Sequence, residues 1–164
     1  MSENSFLVVD FEFTCWRGRP PKGMTQEILD IGLVEIDLIN KKITKKDRIL
    51  IKPENSNISN FCTKLTSITS EEVESVGIGL GEAFSILEKK YKLTKKGWGS
   101  WGDFDKKHLV KECKLKGIDF PFNKNYTNIQ KCFSKTKKDK SRLYSVENAL
   151  KDLDIEFQGT PHRA

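Results

Sequence analysis

The first third of the chain has the pattern of β-strands. Residues 6–13 are a run of apolar side chains, many of them β-branched or aromatic, broken only by two acids. This run predicts a central strand buried on both faces. Residues 17–23 contain two glycines and two prolines, which end the strand. Further strands are predicted over 27–37 and 48–52 with a Lys-rich turn between them, giving an antiparallel meander.

Helical spacing replaces this pattern after residue 53. Thr69 and Glu72 form a capping-box pattern that opens a short helix, and apolar residues over 82–91 recur at helical spacing. A glycine-aromatic segment, 97–102, predicts one more short strand. Later helices are predicted over 106–116, near Asn128 and from Ser145 to about 153. This order predicts a three-layer α/β fold with a mixed central sheet flanked by helices.

Length and composition limit the size and location of the protein. The 164 residues should form a single domain, 1–164, with no room for a second. No apolar run can span a bilayer and no charged-then-apolar leader opens the chain, so we expect no membrane contact and a cytoplasmic location. The four cysteines include no C-x-x-C pair, which argues against a zinc site or a disulfide framework. The sequence carries no signal of oligomeric state.

The charge balance favours a polyanionic partner. The chain has 29 Lys and Arg against 23 Asp and Glu, a net charge of +6, which would support phosphate contacts. The densest basic stretch is 135–142. A run of this kind is more often a solvated loop than a binding patch, so it does not by itself define a site.

Two acids stand out at the end of the first predicted strand. Asp10 and Glu12 are two residues apart, so their carboxylates should lie on one face of the strand, about 7 Å apart at the backbone. Ionised carboxylates at the end of a buried strand are costly unless cations neutralise them, and hard oxygen ligands select Mg²⁺ or Mn²⁺. The alternative is a strand end that emerges into water, where acids are tolerated.

Asp103 and His162 are the other residues with candidate chemistry. Asp103 follows the 97–102 segment, where the exit of a strand can bring a third carboxylate to the same cleft; the alternative is an N-cap of the next helix. His162 lies in an irregular segment beyond the last predicted helix, and an imidazole suits a general base near neutral pH. His108 falls inside a predicted helix and is interpreted as a structural residue.

Four segments in a fixed order carry the most specific signal. They are F-L-V-V-D-F-E-F-T-C at 6–15, I-S-N-F-C-T-K-L-T-S-I-T at 58–69, S-W-G-D-F-D at 100–105 and Q-G-T-P-H-R-A at 158–164. Together they resemble the motifs of the DEDDh 3′-to-5′ exonucleases, in particular the Eri-like branch that includes histone-mRNA 3′-end exonucleases. The resemblance covers nearly the whole chain and implies a ribonuclease H-like fold.

The resemblance also implies a site and a reaction. Asp10, Glu12 and Asp103 would hold two Mg²⁺ or Mn²⁺ ions, and His162 would take a proton from the attacking water. The expected substrates are 3′ ends of single-stranded RNA or DNA, with RNA favoured, and the products are nucleoside 5′-monophosphates. Residues expected at the terminal nucleotide are Phe11, Phe13, Thr14, Leu65, Thr66 and Trp101. For Phe11, packing in the core is an equal alternative.

One family residue lies outside this sequence. In the family an Asp follows the histidine by five residues, and this sequence ends at Ala164, two residues after His162. The closing helix that would carry this Asp is likewise not in the sequence. Two readings follow: the sequence is part of a longer exonuclease, or the protein is a nucleic-acid-binding module of the same fold with impaired catalysis.

Overall fold

A five-stranded mixed sheet forms the centre of the protein. The computed structural model describes residues 4–139, 141–159 and 162. The strands are β1 (Ser5–Phe13), β2 (Ile28–Asp37), β3 (Lys42–Leu50), β4 (Gly97–Ser100) and β5 (Tyr126–Asn128). They lie in the order β3-β2-β1-β4-β5. β2 is antiparallel to both β1 and β3, whereas β4 is parallel to β1 and to β5. The predicted α/β class with a mixed sheet is confirmed.

Six helices flank the sheet within the described residues. They are α1 (Asn60–Thr66), α2 (Ser70–Val76), α3 (Leu80–Tyr91), α4 (Phe104–Lys116), α5 (Ile129–Lys135) and α6 (Val146–Asp152). The predicted caps are confirmed: Glu72 N donates to Thr69 Oγ1, and Asn148 N donates to Ser145 Oγ. In the same part of the chain, no helix combines the length and the apolar composition that a bilayer crossing needs.

β1 is buried on one face rather than on both. Leu7, Val9 and Phe11 alternate with less buried residues along the strand and form the centre of the core with residues of α3 and α4. On the other face, Asp10 is exposed and Glu12 is half-buried. The prediction of burial on both faces was therefore wrong, because the two acids share a face that opens to solvent.

Two short elements, α1 and β5, were not predicted from the sequence pattern. The strand β3 was predicted, but it begins at Lys42 rather than near residue 48. β3 lies at the edge of the sheet, where only one neighbour strand is present and charged side chains reach solvent. Lys45 on this strand pairs with Glu35 of β2 at 3.0 Å. A lysine-rich segment at an edge thus forms a strand where its composition indicated a turn.

A buried ion cluster joins α4 to the sheet, and we call it the Lys116 cluster. Lys116 Nζ lies 2.9 Å from Glu27 Oε1, 3.0 Å from Glu54 Oε1 and 3.4 Å from Glu112 Oε1. Glu27 precedes β2, and its carboxylate also accepts hydrogen bonds from the backbone N–H groups of Glu54 and Asn55. Glu112 accepts from the Ile28 N–H at 2.8 Å. One cation therefore links the C-terminal end of α4, the start of β2 and the segment after β3.

We expect Lys116→Met to lower the free energy of unfolding by roughly 3–5 kcal/mol, because the substitution leaves the buried carboxylates of Glu27 and Glu112 without their cation. Chemical denaturation followed by circular dichroism measures this loss. Lys114→Met, at an exposed position of the same helix, is the matched control and should change stability little. Equal losses in the two variants would contradict the role given to the cluster.

Candidate active site

The candidate site lies at the sheet edge where three parallel strands end. β1 ends after Glu12 and Phe13, and β4 ends at Ser100, next to the end of β5 at Asn128. The carboxyl ends of parallel strands are the usual position of ligand sites in open α/β sheets. The polar residues that follow each strand are therefore brought to one edge.

Asp10 and Glu12 lie on the open face of β1, as predicted. Asp10 is opposite Gly32 of β2, which has no side chain, and Glu12 is opposite Asp30. The register shifts directly after Glu12, so that Phe13 pairs with Ile28. Irregularities of this kind are frequent next to active sites.

Both carboxylates are less acidic than ordinary ones. Burial raises the pKa of Glu12 to about 8, with further contributions from the negative charges of Asp10, Asp30 and Asp105. The surrounding protein also raises the pKa of Asp10, although the side chain is open to solvent, and the charge of His162 opposes this increase. The carboxylate of Glu12 thus lies within the negative field of neighbouring acids.

Asp105 is one of these neighbouring acids. It is only 7% exposed and lies in the first turn of α4, on the inner face of the helix with Leu109, Glu112 and Cys113. Burial raises its pKa to about 7, the charge of Asp10 adds to this, and a hydrogen bond from Ser100 opposes it. The sequence interpretation missed Asp105. The signal was available, because helical spacing from Leu109 and Cys113 places Asp105, and not Asp103, on the inner face.

Asp103 is not brought to the other carboxylates. It occupies the N-cap position of α4 but makes no capping hydrogen bond. Its Oδ2 accepts from Lys131 Nζ at 2.8 Å, and hydrogen bonds from Lys131 and Asn128 hold its pKa below the ordinary value. Asp103 is not among the charges that act on Asp10 or Glu12. The alternative of a simple cap is also not what the structure shows, since its main partner is a lysine of α5.

The two histidines occupy different surroundings. His162 is exposed in a turn with φ of 54°, and its charge acts on Asp10. His108 lies on α4, where its ring stacks against Phe104 at a centroid distance of 3.9 Å and contacts Phe13 at 5.1 Å. The charge of His162 thus reaches Asp10, whereas His108 lies in an aromatic cluster with Phe104 and Phe13.

Several residues expected at the terminal nucleotide are engaged inside the protein. Phe11 and Phe13 are in the core. Thr14 is fully buried, and its Oγ1 accepts from the Glu27 N–H at 3.0 Å. Thr66 is also buried, and its Oγ1 donates to the Cys62 carbonyl at 2.9 Å. These residues therefore support the site from within.

Other large apolar side chains, on α1 and at the start of α4, are exposed. Leu65 on α1 is 39% exposed, as is Phe61 one turn earlier, and Phe104, next to Asp105, is 54% exposed. Phe104 rests edge-on against Phe13 at 5.5 Å. Trp101 instead turns toward Phe133 of α5, with the ring centroids 5.8 Å apart. Its Nε1 donates to the carbonyl of Tyr144, which follows α5, at 2.9 Å. The sequence signal for Phe104 is its place directly before Asp105.

The donor set fits a hard divalent cation, because Asp10, Glu12 and Asp105 offer carboxylate oxygens that repel one another. Within the described ranges, no group of three or more His, Cys, Asp or Glu side chains has converged to metal-binding positions. Asp10, Glu12 and Asp105 are candidate ligands because of their charge and their placement.

A mixed sheet with acidic groups at its parallel strand ends, and a histidine near them, is the arrangement of a nuclease. The family model described as Exonuclease (RNase_T) matches residues 7–164, and the chain belongs to this family.

Individual relatives agree with this assignment. The human 3'-5' exoribonuclease 1 is 28% identical over 165 residues, covering 94% of this chain and 46% of that protein. The nuclease domain of 3'hExo, a DEDDh family member bound to rAMP, has a TM-score of 0.85 and 27% identity, covering 97% of this chain and 83% of that one. The probable 3'-5' exonuclease KapD of Bacillus subtilis is 24% identical, covering 100% of this chain and 79% of that protein. The predicted DEDDh resemblance and ribonuclease H-like fold are confirmed. The chain spans about half the length of the mammalian relatives.

The variants Asp105→Asn and Asp103→Asn should show which of the two aspartates acts as the third metal ligand. We expect Asp105→Asn to be at least as stable as the parent in chelator, because it removes repulsion, and to lose much of the rise in Tm that Mn²⁺ gives the parent. Asp103→Asn should retain that rise. Thermal unfolding with increasing Mn²⁺ measures both effects, and the opposite pattern would return Asp103 to the ligand set.

Proposed function

We propose that this chain is the catalytic domain of a divalent-metal-dependent 3′-to-5′ exonuclease that hydrolyses single-stranded nucleic acid, RNA in preference to DNA, to nucleoside 5′-monophosphates. The observation that carries the proposal is the placement of Asp10 and Glu12 on one face of β1 and of buried Asp105 in the first turn of α4, with the charge of Asp10 raising the pKa of both Glu12 and Asp105. Buried like charges are costly, and they are retained where a cation and a phosphate use them. Relatives named as 3′-5′ exoribonucleases support the same reaction.

Asp10, Glu12 and Asp105 would hold Mg²⁺ or Mn²⁺, two ions in the complete site. When bound, such ions lower the pKa of a water molecule and stabilise the charge on the leaving 3′-oxygen. Asp105 takes the position that the sequence interpretation gave to Asp103. Its burial on the inner face of α4 restricts its motion, as a metal ligand requires.

His162 would act as the general base. Its exposed position lets the imidazole approach a bound nucleotide from the solvent side, and its charge already acts on Asp10. A proton taken from the attacking water can pass from the imidazole to solvent after each cleavage. This assignment is the one made from the sequence.

The 3′-terminal base would contact Phe104 and Leu65. Both are exposed apolar side chains, and Phe104 is held in place by Phe13 and His108. An aromatic face beside the scissile bond stacks on any base, which suits an enzyme that removes nucleotides in succession. Phe11, Thr14 and Thr66 would act indirectly, by fixing the backbone around this surface.

A preference for RNA is supported only by the relatives. One solved structure with 26% identity and a TM-score of 0.83 describes 3'-end specific recognition of histone mRNA stem-loop by 3'-exonuclease. A contact to the 2′-hydroxyl would be the physical basis of such a preference. The cytoplasmic location expected from the sequence stays a prediction.

The direct test uses the full-length protein with a 5′-labelled single-stranded RNA in Mg²⁺ or Mn²⁺. We expect stepwise shortening from the 3′ end with release of nucleoside 5′-monophosphates, and loss of turnover by orders of magnitude in Asp10→Asn and Glu12→Gln, because fewer charges hold the ions. A folded parent that binds the strand without releasing monophosphate would favour the binding-module alternative instead.

His162→Ala should lower single-turnover cleavage by about 10²–10⁴-fold while strand binding in chelator is retained, because the variant loses proton transfer only. Added imidazole should restore part of the rate. Rapid-quench measurement with saturating enzyme isolates this step. A rate within twofold of the parent would remove His162 from the mechanism.

A further inference from the structure

We infer that the surface formed by α5 and the segment that follows it binds the nucleotides upstream of the 3′ end as a single strand. This α5 surface consists of Lys131, Phe133, Lys135, Lys138, Arg142 and Tyr144. The inference rests on the proposed function, since it concerns how the same substrate continues beyond the site.

The α5 surface begins directly beside the candidate active site. Ser100 of β4 pairs in register with Asn128 of β5, and α5 starts at the next residue, so the helix leaves from the same sheet edge. Lys131, in its first turn, reaches Asp103, which is two residues from Asp105. A strand whose 3′ end lies at the carboxylates would therefore reach α5 by passing the first turn of α4, where Asp103 pairs with Lys131.

Most of the net positive charge of the chain is in this segment. Residues 131–142 contain six Lys or Arg and one Asp, a net charge of +5, whereas the whole chain carries +6. The rest of the chain is therefore nearly balanced, and the positive potential is concentrated beside the acids of the site. Such a potential attracts a polyanion and orients it.

Part of this charge is used in ion pairs, and part is open. Lys131 pairs with Asp103, and Lys137 pairs with Asp152. Lys135, Lys138 and Arg142 are exposed and form no ion pair within 4.0 Å among the residues that the structure describes, although the charge of Arg142 acts on Asp139. The open cations are thus placed to contact phosphates.

Aromatic rings lie between these cations. Phe133 and Tyr144 are half-buried, with centroids 5.4 Å apart, and the Arg142 guanidinium lies 5.0 Å above the Tyr144 ring. The Tyr144 carbonyl accepts hydrogen bonds from Trp101 Nε1 and Gln130 Nε2, each at 2.9 Å. These bonds anchor the segment to the end of β4. Each ring has a cation over one face, since Lys137 Nζ lies 4.4 Å from the Phe133 ring centroid, and a base would stack on the part of each ring that is left exposed.

The test compares substrate lengths. The variant Lys135→Gln/Lys138→Gln/Arg142→Gln removes three exposed cations. We expect it to cleave a trinucleotide at the rate of the parent. For a 20-nucleotide single strand, we expect its KM to rise about tenfold at low salt, with kcat unchanged. The slope of log Kd against log salt, measured by anisotropy in chelator, should fall by about 2, as loss of three phosphate contacts requires. Lys41→Gln/Lys42→Gln/Lys46→Gln, exposed at the opposite edge of the sheet, is the matched control and should match the parent.

Three results would overturn the inference: no change with the long strand, an equal loss with both lengths, or a loss confined to substrates with a duplex stem. An equal loss would mean that the surface acts on the geometry of the site. A parent that cleaves neither length would reject the proposed function itself, which is a separate outcome from any of these.

Discussion

The Lys116 cluster is the interaction on which the position of the candidate site depends. Lys116, at the C-terminal end of α4, pairs with Glu27 and with Glu112 of the same helix. The Thr14 N–H donates to the Glu27 carbonyl at 2.8 Å. β1, β2 and α4 are thereby fixed to one another at a single buried point. Because α4 is rigid, fixing its end also fixes the direction of its first turn. Asp105 consequently faces the carboxylates of β1.

The two ends of α4 use buried charge in opposite ways. At the C-terminal end, three carboxylates share one lysine, and hydrogen bonds from backbone N–H groups to Glu27 and Glu112 add to the compensation of their charge. At the N-terminal end, Asp105 faces Asp10 and Glu12, and burial and repulsion raise its pKa to about 7.

Much of the architecture followed from local pattern, and the limits of that pattern are physical. The run at 6–13 identified β1 and its acids, and the caps at Thr69 and Ser145 identified their helices, because these signals depend on neighbouring residues only. α1 and β5 are short, so their formation depends on tertiary contacts, such as the bond from Cys62 Sγ to the Phe13 carbonyl, that no periodicity encodes. The inner face of α4 contains Asp105 and Glu112, which weakens its apolar pattern and leaves the spacing of Leu109 and Cys113 as the signal of its direction.

The site residues show the same limit at finer scale. Asp10, Glu12 and His162 were selected by residue type and order; Asp10 and Glu12 lie on one face of β1, and the charge of His162 acts on Asp10. Asp103 and Trp101 were selected in the same way, yet they turn toward α5, while Asp105 and Phe104, one or more residues along, face the site. Consecutive residues at the start of a helix differ in direction by about 100°. A motif match that is uncertain by one or two residues therefore cannot identify the side chain that enters the site. The buried face of the helix identifies it directly.

The first turn of α4 also separates two surfaces with different tasks. Phe104 faces the rings of Phe13 and His108, while Asp103 faces Lys131 of α5. One surface is aromatic and close to the carboxylates, and the other is the start of the basic segment. Stacking on a base is local and holds one nucleotide, but attraction to phosphates extends along a chain and is screened by salt. An enzyme that selects a terminus and also retains the strand needs both stacking and phosphate contacts. When the aromatic surface and the basic segment lie on either side of one helical turn, the scissile bond can lie between the two.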